Sequence, residues 1–213
     1  MNDISRKIAS QLLQIKAIQL SPQKPFTWAS GRKSPIYCDN RLTLSYPSIR
    51  NTIRNAFVDH IKSLPGINLV SGVATAGIPH AALAANELDL PMVYVRSKPK
   101  SHGKQNLIEG HIPEENNRVM VIEDLISTGG SSLKAVDAMR MADTEVVGVM
   151  AIFTYGFDEA YSAFREAGCK LHTLCNYEIL LEEAVARDYI NKHEREILAA
   201  WRKDPVQWHE DHS

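Results

Sequence analysis

The sequence predicts an α/β fold, a parallel sheet flanked by helices, with a small N-terminal hood in front of it. Three observations lead there. Apolar runs of the length that buried strands need recur as INLVSGVA, MVYV, RVMVIED, TEVVGVMAIFTY and KLHTLCN. Segments with helical apolar spacing separate them, and such alternation is the pattern of parallel strands joined by helical crossovers. Residues 1–45 depart from that rhythm, with short extended pieces punctuated by Gly and Pro.

Ile4, Ile8, Leu12, Ile15 and Ile18 recur at helical spacing, which predicts one amphipathic helix over about residues 3–19. The stretch FTWASGRKSPIYCDNR, Phe26 to Arg41, reads as two short extended pieces forming a ribbon. Ile49, Ile53, Phe57 and Ile61 mark the next helix, and Pro65-Gly66 ends it before the first long strand. A helix from Ile78 to Glu87, the strand MVYV, a polar loop from Arg96 to about Gly110 and the strand RVMVIED follow. A helix opens near Gly129, with Leu133, Val136 and Met139 on its apolar face. A strand through Phe153, a helix near Ala160, the strand KLHTLCN and helical segments through Ile190, Ile197 and Trp201 complete the series. The residues after Pro205 read as an exposed tail. The expectation is one domain over 1–213, with residues 1–45 as the hood.

Composition bounds the function. With 213 residues the chain can bury about two thirds of its unfolded surface. A net charge of -1 argues against broad nucleic-acid or anionic-membrane binding, so any anion site is local. Cys38, Cys169 and Cys175 have neither Cys-x-x-Cys nor zinc-finger spacing and read as reduced thiols, which with the polar N-terminus points to a cytoplasmic protein that is not exported. No apolar stretch is long enough to span a bilayer. His209, Glu210, Asp211 and His212 read as solvated side chains rather than metal ligands.

The segment VMVIEDLISTGGSSLKAV, Val119 to Val136, carries the most chemistry. Ser127, Thr128, Gly129, Gly130 and Ser131 offer hydroxyls and open backbone amides at a helix start, where the dipole favours a phosphate. Glu123 and Asp124 would repel a phosphate, so they suit ribose hydroxyls, a magnesium ion or positive charge developing on a sugar. A phosphorylated ribose fits both halves. The other reading is a tight strand-to-helix turn with a Ser/Thr cap. A Walker A loop is excluded, because no Gly-Lys-Ser/Thr follows. Upstream, Arg96, Lys98, Lys100, His102 and Lys104 crowd into a loop with Pro99 and Gly103, which by itself reads either as a solvated loop or as one suited to closing over a diphosphate.

A hydrophobic strand, two acids, two further residues and Thr-Gly-Gly together resemble the motif by which type I phosphoribosyltransferases bind 5-phosphoribosyl-1-diphosphate (PRPP). The resemblance implies the fold of that family and a PRPP site formed by Glu123, Asp124, Leu125, Ile126, Ser127, Thr128, Gly129, Gly130 and Ser131, with Asp124 helping to stabilise a cationic ribosyl transition state. Arg96 followed by Lys100 and His102 resembles the mobile catalytic loop of orotate phosphoribosyltransferases, which implies PRPP contacts made across a homodimer and catalytic roles for Lys100 and His102. The hood element is similar to the one over the base in that family, which implies orotate contacts from Tyr37 and Cys38, with Ser127 below. The resemblance covers nearly the whole chain and implies Mg2+ carried by PRPP, with no direct protein ligand. Three departures stand out: Ala29 and Ala76 where some members have lysines, and Tyr155-Gly156 near an expected arginine. A phosphoribosyltransferase for a purine or uracil, or a PRPP-sensing regulator, are the rivals.

Overall fold

The computed structural model describes residues 2–28, 30–98, 107–113 and 117–212. Its centre is a six-stranded sheet. The strands are β5 (Leu69–Val73), β6 (Met92–Val95), β7 (Ile108–Glu109), β8 (Arg118–Ile126), β9 (Glu145–Thr154) and β10 (Leu171–Asn176). They lie in the order β10-β9-β8-β5-β6-β7, all parallel except β7, which runs antiparallel to β6 at the edge. The polar loop expected over Arg96 to Gly110 therefore contains a short strand.

Alternation along the central strands sends side chains to two cores. Met120, Ile122, Met150 and Ile152 join the core beneath α1 (Asn2–Gln14), α2 (Pro47–Lys62), α3 (Gly77–Leu88), α6 (Tyr177–Ala186) and α7 (Lys192–Lys203). Val119, Val121, Val149 and Ala151 join the other, covered by α4 (Gly130–Met141) and α5 (Asp158–Glu166). A β8 buried on both faces explains why its sequence is a continuous apolar run rather than an alternating one.

The chain enters the sheet at β5, moves outward to β6, then returns past β5 to β8. That reversal leaves a crevice beyond the carboxyl ends of β5 and β8, where open α/β sheets bind their ligands. The turns into α3 and α4 flank it.

The expected 3–19 helix stops at Gln14. Lys16 takes a left-handed φ of +58°, and β1 (Ile18–Leu20) then pairs antiparallel with β4 (Ile36–Cys38). Ile18 keeps helical spacing from Leu12 and Ile15 yet is equally buried as a strand residue, so periodicity alone could not choose. A second ribbon, β2 (Phe26–Thr27) with β3 (Lys33–Ser34), extends the hood.

The predicted exposed tail is also corrected. Residues Pro205–Asp211 form α8, capped by Asp204, whose side chain accepts from the Val206 and Gln207 amides. Trp208 is only 7% exposed and His212 stacks on it at 3.7 Å. His209 Nδ1 accepts from the Lys33 amide at 3.1 Å, so α8 is docked on the hood.

Candidate active site

The β8-to-α4 turn forms an open cradle. Ile126 is buried, and its carbonyl accepts from the Tyr155 amide at 3.2 Å and from Thr154 Oγ1 at 3.1 Å, which pins the strand end to β9. Beyond it Ser127 is half-buried, Thr128 is exposed, and Gly129 caps α4 with φ +86°. A Cβ at Gly129 would lie 2.7 Å from the Phe164 ring, so both its conformation and its space require glycine. Gly130 and Ser131 are exposed, and the first-turn amides of α4, free of intrahelical acceptors, surround a position suited to a phosphate.

Glu123 and Asp124 close the apolar run. Glu123 is 5% exposed; its Oε1 accepts from the Asp124 amide at 3.0 Å, and its Oε2 from Ser132 Oγ at 3.3 Å. Burial, then the charge of Asp124, pushes the Glu123 carboxyl up to about 8. Burial also raises Asp124, which a hydrogen bond with the Glu123 carboxyl, then backbone hydrogen bonds and the charge of Arg41, partly offset. The two carboxyls face each other closely enough to share a proton, so near neutrality the pair offers one donor and one ionised acceptor. Asn40, at the base of the hood, donates to the Asp124 carbonyl at 2.8 Å and fixes the hood against this strand end.

A cavity of about 230 Å³ lies under the hood, lined by Trp28, Tyr37, Cys38, Leu125, Ser127 and Tyr155. Tyr37, Cys38 and Ser127, singled out in the sequence, thus meet in one place, and Leu125, singled out for PRPP, forms part of the wall. Sequence reasoning missed Trp28 as a wall residue. Its ring lies 5.9 Å from that of Tyr155, and its Nε1 donates to the Ile36 carbonyl at 3.1 Å. The available signal was a lone tryptophan in a polar ribbon, which needs an apolar partner somewhere. Burial, then Asp124, holds the Cys38 thiol well above its ordinary pKa, so it stays neutral.

On the other side of the cradle, Ala74, Arg96, Ser97, Gly130, Ser131 and Lys134 line a cavity of about 240 Å³. Arg96 Nη1 pairs with Glu109 at 3.4 Å and its amide donates to the Leu107 carbonyl, so β7 holds the loop's near end. Lys134, one turn into α4, was not anticipated. Lys100 and His102 lie outside the described residues. At the start of α3, a Cβ on Gly77 would lie 2.4 Å from the Ile122 carbonyl, so close approach there serves helix-to-sheet packing. Among the described residues no three His, Cys, Asp or Glu side chains cluster to hold a metal. With one carboxyl of the pair protonated, these side chains would leave a Mg2+ ion to be held by the phosphates of a bound substrate and by water.

Residues 47–172 match the model of the phosphoribosyl transferase domain. The chain is 53% identical over 205 residues to the orotate phosphoribosyltransferase of Cytophaga hutchinsonii, covering 96% of this chain and 98% of that protein. It is 55% identical over 206 residues to the orotate phosphoribosyltransferase of Listeria monocytogenes, with the same coverage. The chain belongs to the orotate phosphoribosyltransferase family. A crystal structure of orotate phosphoribosyltransferase from Aeropyrum pernix superposes with a TM-score of 0.74 at 28% identity, covering 86% of this chain and 99% of that one.

Two of the positions singled out in the sequence as departures have a visible structural setting. Ala76 is the residue capping α3 and brings no side-chain hydrogen bond to it. Gly156, φ +71°, follows Tyr155 and accepts through its carbonyl from Arg202 Nη1 at 3.1 Å, a contact from α7. Ala29 lies outside the described residues.

Proposed function

We propose that the chain transfers the 5-phosphoribosyl group of PRPP to a ring nitrogen of orotate, giving orotidine 5'-monophosphate and diphosphate in pyrimidine nucleotide synthesis. One observation carries this reading: Ser127 belongs both to the turn that opens α4 and to the wall of a cavity faced by Trp28, Tyr37 and Tyr155. A phosphoribosyl group held in the cradle therefore presents its anomeric carbon towards a base in the cavity.

The mechanism follows from placement and charge. The ring nitrogen attacks the anomeric carbon and gives up its proton to water, while the bond to the diphosphate oxygen breaks and its electron pair leaves with diphosphate. The amides and hydroxyls of Ser127, Thr128, Gly129, Gly130 and Ser131 hold the 5-phosphate. Protonated Glu123 donates to one ribose hydroxyl while ionised Asp124 accepts from the other and faces the positive charge that grows on the sugar. Tyr37, Cys38 and Ser127 orient the base. Arg96, with Lys100 and His102 reaching from the neighbouring subunit of a homodimer, neutralises the departing diphosphate. Mg2+, when bound together with PRPP, would supply further charge neutralisation on that leaving group. The enzyme works as a single cytoplasmic domain with residues 1–45 as its hood. No helix among the described residues is long and apolar enough to cross a membrane.

Loss of orotate absorbance on mixing purified protein with PRPP, Mg2+ and orotate tests this, with uracil, adenine, hypoxanthine and guanine in parallel and a chelator control. Orotate-specific turnover that the chelator abolishes is expected. Turnover of another base alone would overturn the acceptor assignment, and PRPP binding without any turnover would make the chain a regulator.

A further inference from the structure

We propose that Arg202, carried on α7, recognises the carboxylate of the acceptor base; this rests on the orotate reading above. The cavity under the hood supplies aromatic faces, a neutral thiol and a hydroxyl, but no cation. An anionic ring buried there needs a positive partner, because removing a carboxylate from water without one is strongly unfavourable. A neighbouring cavity of about 470 Å³ shares the Trp28 and Ser127 walls, and its cations are Arg32, Arg202 and Lys203. Arg32 and Lys203 are exposed; Arg202 is half-buried.

The guanidinium is held in place from two directions. Its Nη1 donates to the Gly156 carbonyl at 3.1 Å. The preceding residue, Trp201, is fully buried and packs edge-on against Trp28 at 6.0 Å and Tyr155 at 5.6 Å, both walls of the base cavity. Helix α7 is thus registered directly to the cavity. Among the described residues Arg202 forms no ion pair with an acid. Asp158 and Glu159 line the same compartment but are exposed, so water and salt screen them. The remaining donors of the planar guanidinium suit bidentate pairing with a carboxylate. Gly156 makes the room, since a Cβ there would lie 2.9 Å from Arg202 Nη1. The missing side chain at 156 and the arginine from α7 are two halves of one arrangement.

Steady-state kinetics of the full chain test the assignment. R202Q is expected to raise the orotate KM about 10–100-fold, the worth of a charge-assisted hydrogen bond, while the PRPP KM moves less than about twofold. R202K should recover part of the loss, and G156A, which displaces the guanidinium without removing it, should raise the orotate KM selectively as well. Preference for orotate over uracil should narrow in R202Q. An unchanged orotate KM, or equal rises in both KM values with a fall in Tm, would overturn the inference, as would a selective effect found in R32Q instead. Wild-type protein that consumes no orotate would overturn the proposed function, and this inference with it; wild-type turnover with an unaltered R202Q would overturn the inference alone.

Discussion

Replacing Glu123 by Gln should make the ligand-free protein more stable in mild alkali, because the wild-type carboxyl pair must give up its shared proton as pH rises. Burial and Asp124 hold the Glu123 carboxyl up to about 8, against an ordinary 4.5. A raised folded-state pKa means stability that is fully present below about pH 4.5 and is lost as pH climbs towards 8. Three histidines act in the opposite sense: burial lowers His80 to about 4, and partial burial lowers His60 and His172, so their contribution is lost as pH falls below the ordinary value of 6.5. They are neutral in both states above pH 7. Cys175, raised to about 12 from 9.0, contributes only above pH 9. The interval from pH 7 to 8.5 therefore isolates the acid pair. About one pH unit of that interval lies below the Glu123 value, worth about 1.4 kcal/mol. At about 2–4 °C per kcal/mol for a chain of this size, wild-type Tm should fall by about 3–5 °C from pH 7 to 8.5. In E123Q the amide oxygen still accepts from the Asp124 amide and its NH2 can donate to the Asp124 carboxylate, so the profile should be flat. Thermal melts of both proteins in buffers of matched ionic strength decide the matter. A flat wild-type profile, or a Gln variant that falls in parallel, would refute the shared-proton account.

Asp124→Asn should lower kcat about 10–100-fold with Tm within about 2 °C of wild type, since the residue lies at the strand end and is not fully buried; a large loss of Tm would mark it as structural. Lys100→Ala should lower kcat far more than it alters the PRPP KM, as measured by initial rates at saturating orotate. If Lys100 acts across a homodimer, mixing K100A with D124N should give more activity than the two variants show separately, through hybrid dimers holding one intact site. Trp208→Ala should cost about 3 kcal/mol and lower Tm by about 6–12 °C, because it removes the buried ring that docks α8, a loss that a melting curve reads directly.

The sheet was legible because β5, β8 and β9 are buried on both faces and so read as unbroken apolar runs. The cradle was legible because Gly129 and its neighbours satisfy a local demand, a left-handed cap at a helix start, that sequence states directly. What stayed hidden was long-range. Nothing local to Trp28 says that it meets Tyr155 and Trp201, residues more than a hundred positions away. The end of α1 was misjudged because Ile18 satisfies helical and strand burial equally, and the turn at Lys16 depends on pairing with β4. Helix α8 had a readable start, Asp204 as cap and Pro205 in the first turn, but polar residues around Trp208 disguised it as solvated chain.

The hood draws on both ends of the sequence, and this dictates an order of assembly. The cradle needs β8, β9 and α5, all of which are synthesised before any residue beyond 170. The base cavity must wait for Trp201 to back Trp28 and Tyr155, and for His209 to bind the ribbon. A nascent chain thus acquires a place for phosphate well before it can hold a base. Until the last helices arrive, it exposes Trp28 and Tyr155, an aromatic surface that chaperones recognise and that makes stalled or truncated chains prone to aggregate.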